Sequence, residues 1–311
     1  LINDQQCAAE KRRLRKRGAL EKKPLKVYIN ERICEGCGDC GVKSNCLSVE
    51  PVVTEFGRKT RINQTSCNSD YSCLLGDCPS FMTVEGGMNE DRMDPVGTPP
   101  VTLPDPDCRL SDDGFSMLMA GIGGTGVVTV NQILGMAAAL AGLHVRSIDQ
   151  IGSSQKAGPV VSMLHVDRQP LDGAVRIAAG TADTYLAFDL LTAADPVHLA
   201  VASSDRTVFV GNTDAVPTGG TVTEVGLHYP EKEVLVSRIR ANVRKVAFAI
   251  DGLHAARRLF GNEVAANMMM IGAAYQAGAL PIPAVAIEAA IEMNGVAVQT
   301  NIDAFRWGRY A

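Results

Sequence analysis

The 311-residue chain has no apolar run near the ~18 residues that a helix needs to cross a bilayer. Its N-terminus is polar and then basic, without the short apolar core of a secretory leader. It also lacks a strong excess of either charge. A net charge of -4 gives no global reason to expect nucleic acid as a partner. One dense basic block stands out, KRRLRKR from Lys11 to Arg17, with no aromatic residue interleaved for base stacking. It reads as a solvated helix face or a linker docked on an acidic neighbour. The chain starts at Leu1 and not at Met, so it reads as a fragment or processed piece of something longer. Hydrophobic content of 46% with 21% charged residues is ordinary for a globular protein without a membrane segment.

What is present is cysteine, concentrated in one place. Seven of the nine cysteines lie between Glu31 and Pro79, in ERICEGCGDCGVKSNC and CNSDYSCLLGDCP. The run Cys34-x2-Cys37-x2-Cys40 sets three soft ligands close together on a glycine-rich loop, which suits an iron–sulfur cluster. In the ferredoxin-type run a fourth cysteine follows after three residues and precedes proline. Here Cys46 comes after five, and the Cys-Pro pair is Cys78-Pro79. In two-cluster arrangements each run sends its last cysteine to the other cluster. By that rule Cys34, Cys37, Cys40 and Cys78 hold one [4Fe-4S] cluster. Cys46, Cys67 and Cys73 form a second site, with Asp70 where a middle cysteine is expected. That site reads as a [4Fe-4S] cluster with one oxygen ligand or as a [3Fe-4S] cluster.

Two other readings of these cysteines stay open. Structural zinc also uses C-x2-C pairs, although three evenly spaced cysteines with a Cys-Pro fit two pairs poorly. A disulfide framework belongs to secreted chains, and nothing here looks secreted. Cysteines spaced for metal imply a reducing cytoplasm. Cys7 and Cys108 fall outside the pattern and read as incidental thiols.

The expected fold is α/β in two parts: a small iron–sulfur module, then a mainly parallel α/β domain with C-terminal helices. Residues 1–25 read as a basic leader, 26–85 as the cysteine module, 86–115 as a Pro-rich linker and 116–311 as the α/β domain. Lys26–Asn30 reads as a strand, and Val52–Ile62 as a hairpin with Gly57 at its turn. Ser116–Ala120 is a strand, followed by Gly121-Ile-Gly123-Gly124-Thr-Gly126 and a helix from Val127 to Ala141. Strand, glycine loop and helix make G-x-G-x-x-G meaningful as a phosphate cradle. Asp149 lies further along than the acid expected to hold a ribose. A nicotinamide or flavin site and a purely structural turn therefore both remain. Further strands are expected at Asp183–Asp189, Thr207–Gly211 and Lys245–Ile250, with a helix near Thr192–Ala202. Asn212-Thr213-Asp214 follows a strand's carboxyl end, where such sheets place ligands. From Ala255 onward the pattern is helical, and the Met268–Met270 triplet reads as core packing.

Several stretches resemble a known family. GIGGTGVVTVNQILG, SSQKAG, YLAFDLL, VGNTDAVPTG and the ending NMMMIGAAYQAGALP…AIEAAIEMNGVAVQTNIDAFRWGR look like the gamma domain of 2-oxoacid:ferredoxin oxidoreductases. The cysteine region looks like the ferredoxin-type insert of fused indolepyruvate ferredoxin oxidoreductases. The resemblance implies oxidative decarboxylation of an aryl 2-oxoacid to an acyl-CoA, with electrons leaving through clusters to ferredoxin. Thiamine diphosphate with Mg does the carbon chemistry in that family. Its G-D-G signature with a late Asn pair is absent here, and Asp251-Gly252 lacks the leading glycine. The resemblance therefore puts thiamine in other domains or in a partner subunit of a homo- or hetero-oligomer. Gly121, Gly123, Gly124 and Gly126 with Ser153, Ser154, Gln155 and Lys156 would line the active-site entrance, hold part of coenzyme A, or form a subunit interface. Two rival functions remain: a dinucleotide-dependent (NAD or FAD) oxidoreductase with a ferredoxin appendage, and a non-catalytic electron-carrier subunit.

Overall fold

A computed structural model describes residues 6–21, 24–85, 96–101, 103–108, 110–152 and 158–311. The chain divides into two compact units. One comprises Leu1–Asp91 with Val216–Tyr229, the other Arg92–Ala215 with Pro230–Ala311. Linear boundaries at 86–115 and 116–311 therefore miss one feature. The short segment Val216–Tyr229, in the middle of the α/β sequence, clusters with the cysteine unit.

The first unit contains α1 (Ala8–Lys16), β1 (Leu25–Ile29), α2 (Asp39–Ser44), β2 (Val49–Thr54), β3 (Gly57–Ile62), a 3-10 turn at Ser72–Leu75, and β4 (Phe81–Glu85). The outer strands β1 and β4 pair antiparallel, with Leu25 opposite Glu85 and Ile29 opposite Phe81. The inner strands β2 and β3 form the expected hairpin, Val49 opposite Ile62, and Gly57 follows its turn at φ +84°. The unit is thus strand, cysteine loop, short helix, strand, twice over. Its core is small: Val27, Ile29, Val49 and Ile62 pack with Cys34 and Cys73, and Cys40, Cys46, Cys67 and Phe81 lean on them. A core of this size supplies only about 3–5 kcal/mol, and natural domains of this size add disulfides or metals.

The second unit contains β5 (Phe115–Ile122), α3 (Val127–Leu140), β6 (His144–Ile151), β7 (Pro159–Asp167), β8 (Thr184–Ala187), α4 (Leu190–Ala193), α5 (Pro196–Leu199) and β9 (Val208–Asn212). Helix α6 (Gly219–Thr223) belongs to the segment that joins the first unit. Then come α7 (Lys232–Arg240), β10 (Lys245–Ile250), α8 (Gly252–Phe260), α9 (Ala266–Gln276), α10 (Ala284–Asn294) and α11 (Val298–Tyr310). One six-stranded sheet has the order β10-β9-β8-β5-β7-β6. The pairs β10/β9, β9/β8 and β8/β5 are parallel, and β5/β7 and β7/β6 are antiparallel. Five strands therefore point one way and β7 alone opposes them. Central β5 is buried from Met117 to Ile122, as a strand covered on both faces should be.

The helix expected at Thr192–Ala202 is two single turns. Asp195 caps a new start by accepting from the Val197 amide, and Pro196 at the first helical position cannot continue the turn before it. The methionine triplet is core, with Met268, Met269 and Met270 all buried. Helices α9 and α11 meet backbone to backbone at Gly272 and Gly308. A Cβ on Gly272 would overlap the Phe305 carbonyl, and one on Gly308 the Met269 carbonyl. The described part of the Pro-rich stretch is tied to these helices. Trp307 Nε1 donates to the Gly97 carbonyl at 2.8 Å, and Gln276 Nε2 to that of Pro104 at 3.0 Å.

Candidate metal centre

The two cysteine loops repeat one backbone at a spacing of 33 residues. Cys34 N–H donates to the Asn30 carbonyl at 2.9 Å, and Cys67 N–H to the Asn63 carbonyl at 3.0 Å. The Asn30 side chain accepts from the Arg32 amide, and the Asn63 side chain from that of Thr65, both at 3.0 Å. Gly36 N–H donates to Cys34 Sγ, and Ser69 N–H to Cys67 Sγ, both at 3.4 Å. Left-handed φ values recur at the same steps: Gly36 (+71°) and Gly38 (+80°) in the first loop, Ser69 (+52°) and Tyr71 (+63°) in the second. Ser and Tyr pay a penalty there that Gly does not, of order 1–2 kcal/mol each. By the same spacing Cys37 corresponds to Asp70 and Cys40 to Cys73. Both Cys37 and Asp70 are exposed.

Two of the thiols, Cys40 and Cys73, feel other members of the expected ligand sets. Burial pushes the Cys40 thiol up, and the charges of Cys34, Cys37 and Cys78 press in the same direction against one lowering contact from the Gly41 amide. Burial likewise pushes Cys73 up to about 12, with Cys46, Cys67 and Asp70 adding to it. Cys40 is therefore within electrostatic reach of Cys34, Cys37 and Cys78, and Cys73 of Cys46, Cys67 and Asp70. Cys78 Sγ also lies 3.0 Å from Ser80 Oγ. Among the described residues no three His, Cys, Asp or Glu side chains close around a single ion. The donors present are soft thiols approached by backbone N–H groups, the chemistry that suits an iron–sulfur core. Asp70 is partly engaged, because its Oδ1 accepts from Ser72 N–H at 3.2 Å and Ser72 Oγ at 3.0 Å.

Residues outside the cysteine pattern build the walls. Lys59 Nζ donates to the Cys34 carbonyl at 2.6 Å. Arg58 donates to the carbonyls of Thr221, Glu224 and Val225, at 2.7, 3.3 and 2.6 Å, and so pins Val216–Tyr229 against the first loop. Gly36 and Gly41 let backbone come close as well as freeing amides. A Cβ on Gly36 would overlap the Arg58 carbonyl, and one on Gly41 would press on that of Val222. The basic block is helical and faces the second loop: Arg12 Nη1 donates to the Ser66 carbonyl at 3.2 Å, and Arg15 Nη1 to that of Asn68 at 2.8 Å. The Asn-x3-Cys pair at spacing 33 was the sequence signal that would have exposed the repeat. The roles of Arg12, Arg15, Arg58 and Lys59 leave no such signal.

The glycine loop of the second unit is a tight strand-to-helix turn. Gly121 is buried on β5, where a Cβ would strike Val127, and Gly123 N–H donates to the Gly158 carbonyl at 2.7 Å. Gly124 and Gly126 have φ of +85° and +99°. Ser153, Ser154, Gln155 and Lys156 lie outside the described residues. Asp149 accepts from Asn131 Nδ2 and Ser162 Oγ, and β7 separates its strand from β5. In a dinucleotide fold the ribose-binding acid stands on the strand beside the glycine loop, so this topology does not favour the nicotinamide reading. Asn212-Thr213-Asp214 serves α8. Asn212 Oδ1 accepts from Gly252 N–H at 2.8 Å, Asp214 Oδ2 accepts from Leu253 N–H at 2.7 Å, and Thr213 bonds Asp251. These bonds explain why the helix starts three residues earlier than expected. A cavity of about 260 Å³ lies beside β6, lined by Asp149, Gln150, Met163 and Arg176 among others. No helix among the described residues is long and apolar enough to cross a membrane.

The second unit also has recognisable relatives. An indolepyruvate oxidoreductase subunit IorB from Pyrococcus horikoshii is 28% identical over 197 residues, 62% of this chain and 94% of that one. The IorB subunit of Archaeoglobus fulgidus is 26% identical over 198 residues, 62% and 93%. Among solved structures, the Thermotoga maritima pyruvate oxidoreductase subunit PORC aligns with a TM-score of 0.45 at 20% identity, covering 63% of this chain and 96% of that one. The family model described as pyruvate ferredoxin/flavodoxin oxidoreductase matches residues 116–311. On that match, which spans more than half of its length, the chain belongs to the pyruvate ferredoxin/flavodoxin oxidoreductase family.

Proposed function

We propose that the chain is the electron-exit and gamma portion of a thiamine-diphosphate-dependent 2-oxoacid:ferredoxin oxidoreductase acting on indolepyruvate or a related aryl pyruvate. The reading is carried by the two thiol groups, Cys40 with Cys34, Cys37 and Cys78, and Cys73 with Cys46, Cys67 and Asp70. A core bound at each would supply one-electron storage between the carbon chemistry and ferredoxin. The chain's own residues do the rest. Cysteines ligate, Gly36 and Ser69 amides hydrogen-bond ligand sulfurs, and Arg58 and Lys59 hold the first loop in shape. Such amide donors favour the reduced, more negative state and so raise the potential.

Thiamine diphosphate and Mg would sit in other domains or subunits of the assembly, with coenzyme A as co-substrate. The first unit is the ferredoxin-like module of that scheme, and the glycine loop is a coenzyme A contact or a subunit interface. Coenzyme A binding by the whole assembly but not by this chain alone would favour the interface. The deciding experiment reconstitutes the assembly with Cys37→Ser. Loss of 2-oxoacid-dependent ferredoxin reduction with assembly intact supports the reading. Full activity would leave this chain a scaffold.

A further inference from the structure

The basic block needs an explanation that the cysteine pattern does not give. Arg12 and Arg15, three apart on α1, point the same way and grip the carbonyls on either side of Cys67. Both residues are half-buried. Among the described residues neither has a carboxylate in an ion pair, whereas Arg13 on the outer side pairs with Glu10 at 3.0 Å. Arg15 Nε and Asn68 Oδ1 are each buried with no hydrogen-bond partner. Burying cations without an anion is unfavourable unless negative charge lies close by. Burial pushes the Arg12 guanidinium down, and the charge of Cys67, between the two gripped carbonyls, acts the other way. The first loop is treated differently: a single ammonium, Lys59, reaches its Cys34 carbonyl.

We propose that α1 is a cationic clamp on the second cysteine loop, with Arg12 and Arg15 raising the electron affinity of the site formed by Cys46, Cys67, Asp70 and Cys73. The inference rests on the proposed second cluster and extends it to residues outside the ligand set. The missing anion is the net negative charge that thiolate ligands give the core. One electron arrives there from the oxidation of the 2-oxoacid in the proposed assembly and leaves to reduce ferredoxin. No bond forms or breaks and no proton moves, so the fixed positive charges stabilise the reduced state directly. Arg12 and Arg15 are positioning residues that act through charge.

The test is an EPR-monitored redox titration of the anaerobically purified full chain, with iron counted for each variant. Arg12→Gln keeps an N–H donor for the Ser66 carbonyl and loses the charge, while Arg12→Lys keeps the charge. Arg12→Gln should weaken electron uptake at the second site about tenfold, about 59 mV more negative for a one-electron couple. The first site's signal should stay where it is, and Arg12→Lys should stay near wild type. Arg15→Gln should shift the second site the same way and is the working variant if Arg12→Gln fails to fold. Unmoved midpoints in either Gln variant at full iron content would overturn the clamp. So would an equal shift from Arg12→Lys, or an equal shift at both sites. A wild-type count of about four irons would instead remove the second cluster, and the clamp with it.

Discussion

Gly36 and Ser69 occupy the same place in two copies of one loop. Each donates its amide to the cysteine sulfur two residues before it, at 3.4 Å, from a left-handed backbone with φ of +71° and +52°. Glycine takes that conformation freely and serine does not. Ser69→Gly should therefore stabilise the protein by about 1 kcal/mol, read as a rise in the urea midpoint of the iron-free chain. Unchanged or lower stability would mean the Ser69 backbone is not strained.

The reverse change in the first loop should be damaging. A Cβ on Gly36 would add backbone strain and overlap the Arg58 carbonyl. Gly36→Ala should cost about 1–3 kcal/mol and reduce iron bound at the first site, with the second site's EPR signal retained. Normal iron and stability would contradict the close approach of the hairpin to this loop.

Asp70 stands at the position of Cys37 in the repeat. Asp70→Cys should turn the second loop into an all-thiolate C-x2-C-x2-C run and change the second site's EPR spectrum. An identical spectrum would show that Asp70 is not a ligand.

The buried thiols give the iron-free protein an alkaline sensitivity. Burial lifts Cys73 from a usual value of 9.0 to about 12, with Cys46, Cys67 and Asp70 adding to the shift. The folded chain thus holds this proton after the unfolded chain has lost it. Stability is intact below about pH 9 and should fall as the pH climbs towards about 12. Cys73→Ala should flatten that fall in urea titrations run at several pH values. The same slope in the variant would place the sensitivity elsewhere, with Cys40 as the next group to test, since its thiol is also pushed up by burial.

In the second unit, Asp214→Ala removes an acceptor for the Leu253 and His254 amides at the start of α8. The loss should be about 1 kcal/mol, as for other helix caps. No loss would mean that solvent replaces the carboxylate there.

How legible was all this in the sequence? The hairpin turning before Gly57, buried β5 and the glycine turn into α3 follow from alternation, apolar runs and glycine spacing, so local chemistry sets them. The C-terminal helices follow too, although that continuous helical pattern is broken where Gly295, at φ +71°, caps α10. What stayed hidden is tertiary. The reversed direction of β7 depends on which strand edge is open. The docking of Val216–Tyr229 on the cysteine unit depends on Arg58 finding three carbonyls far along the chain. Asn212 and Asp214 looked like ligand-site residues because both cap roles and binding roles favour short polar side chains at strand ends. The seven cysteines were legible as two clustered runs, yet the 33-residue repeat beneath them was masked by Asp70, Ser69 and Tyr71 standing where Cys and Gly stand in the first copy.

The most direct test of the central claim is iron and acid-labile sulfide per chain on anaerobically purified protein, with EPR after one-electron reduction. Two occupied cysteine groups predict about seven or eight irons and two distinguishable signals. A chain with one zinc, or with no iron and no labile sulfide after anaerobic reconstitution, would contradict it.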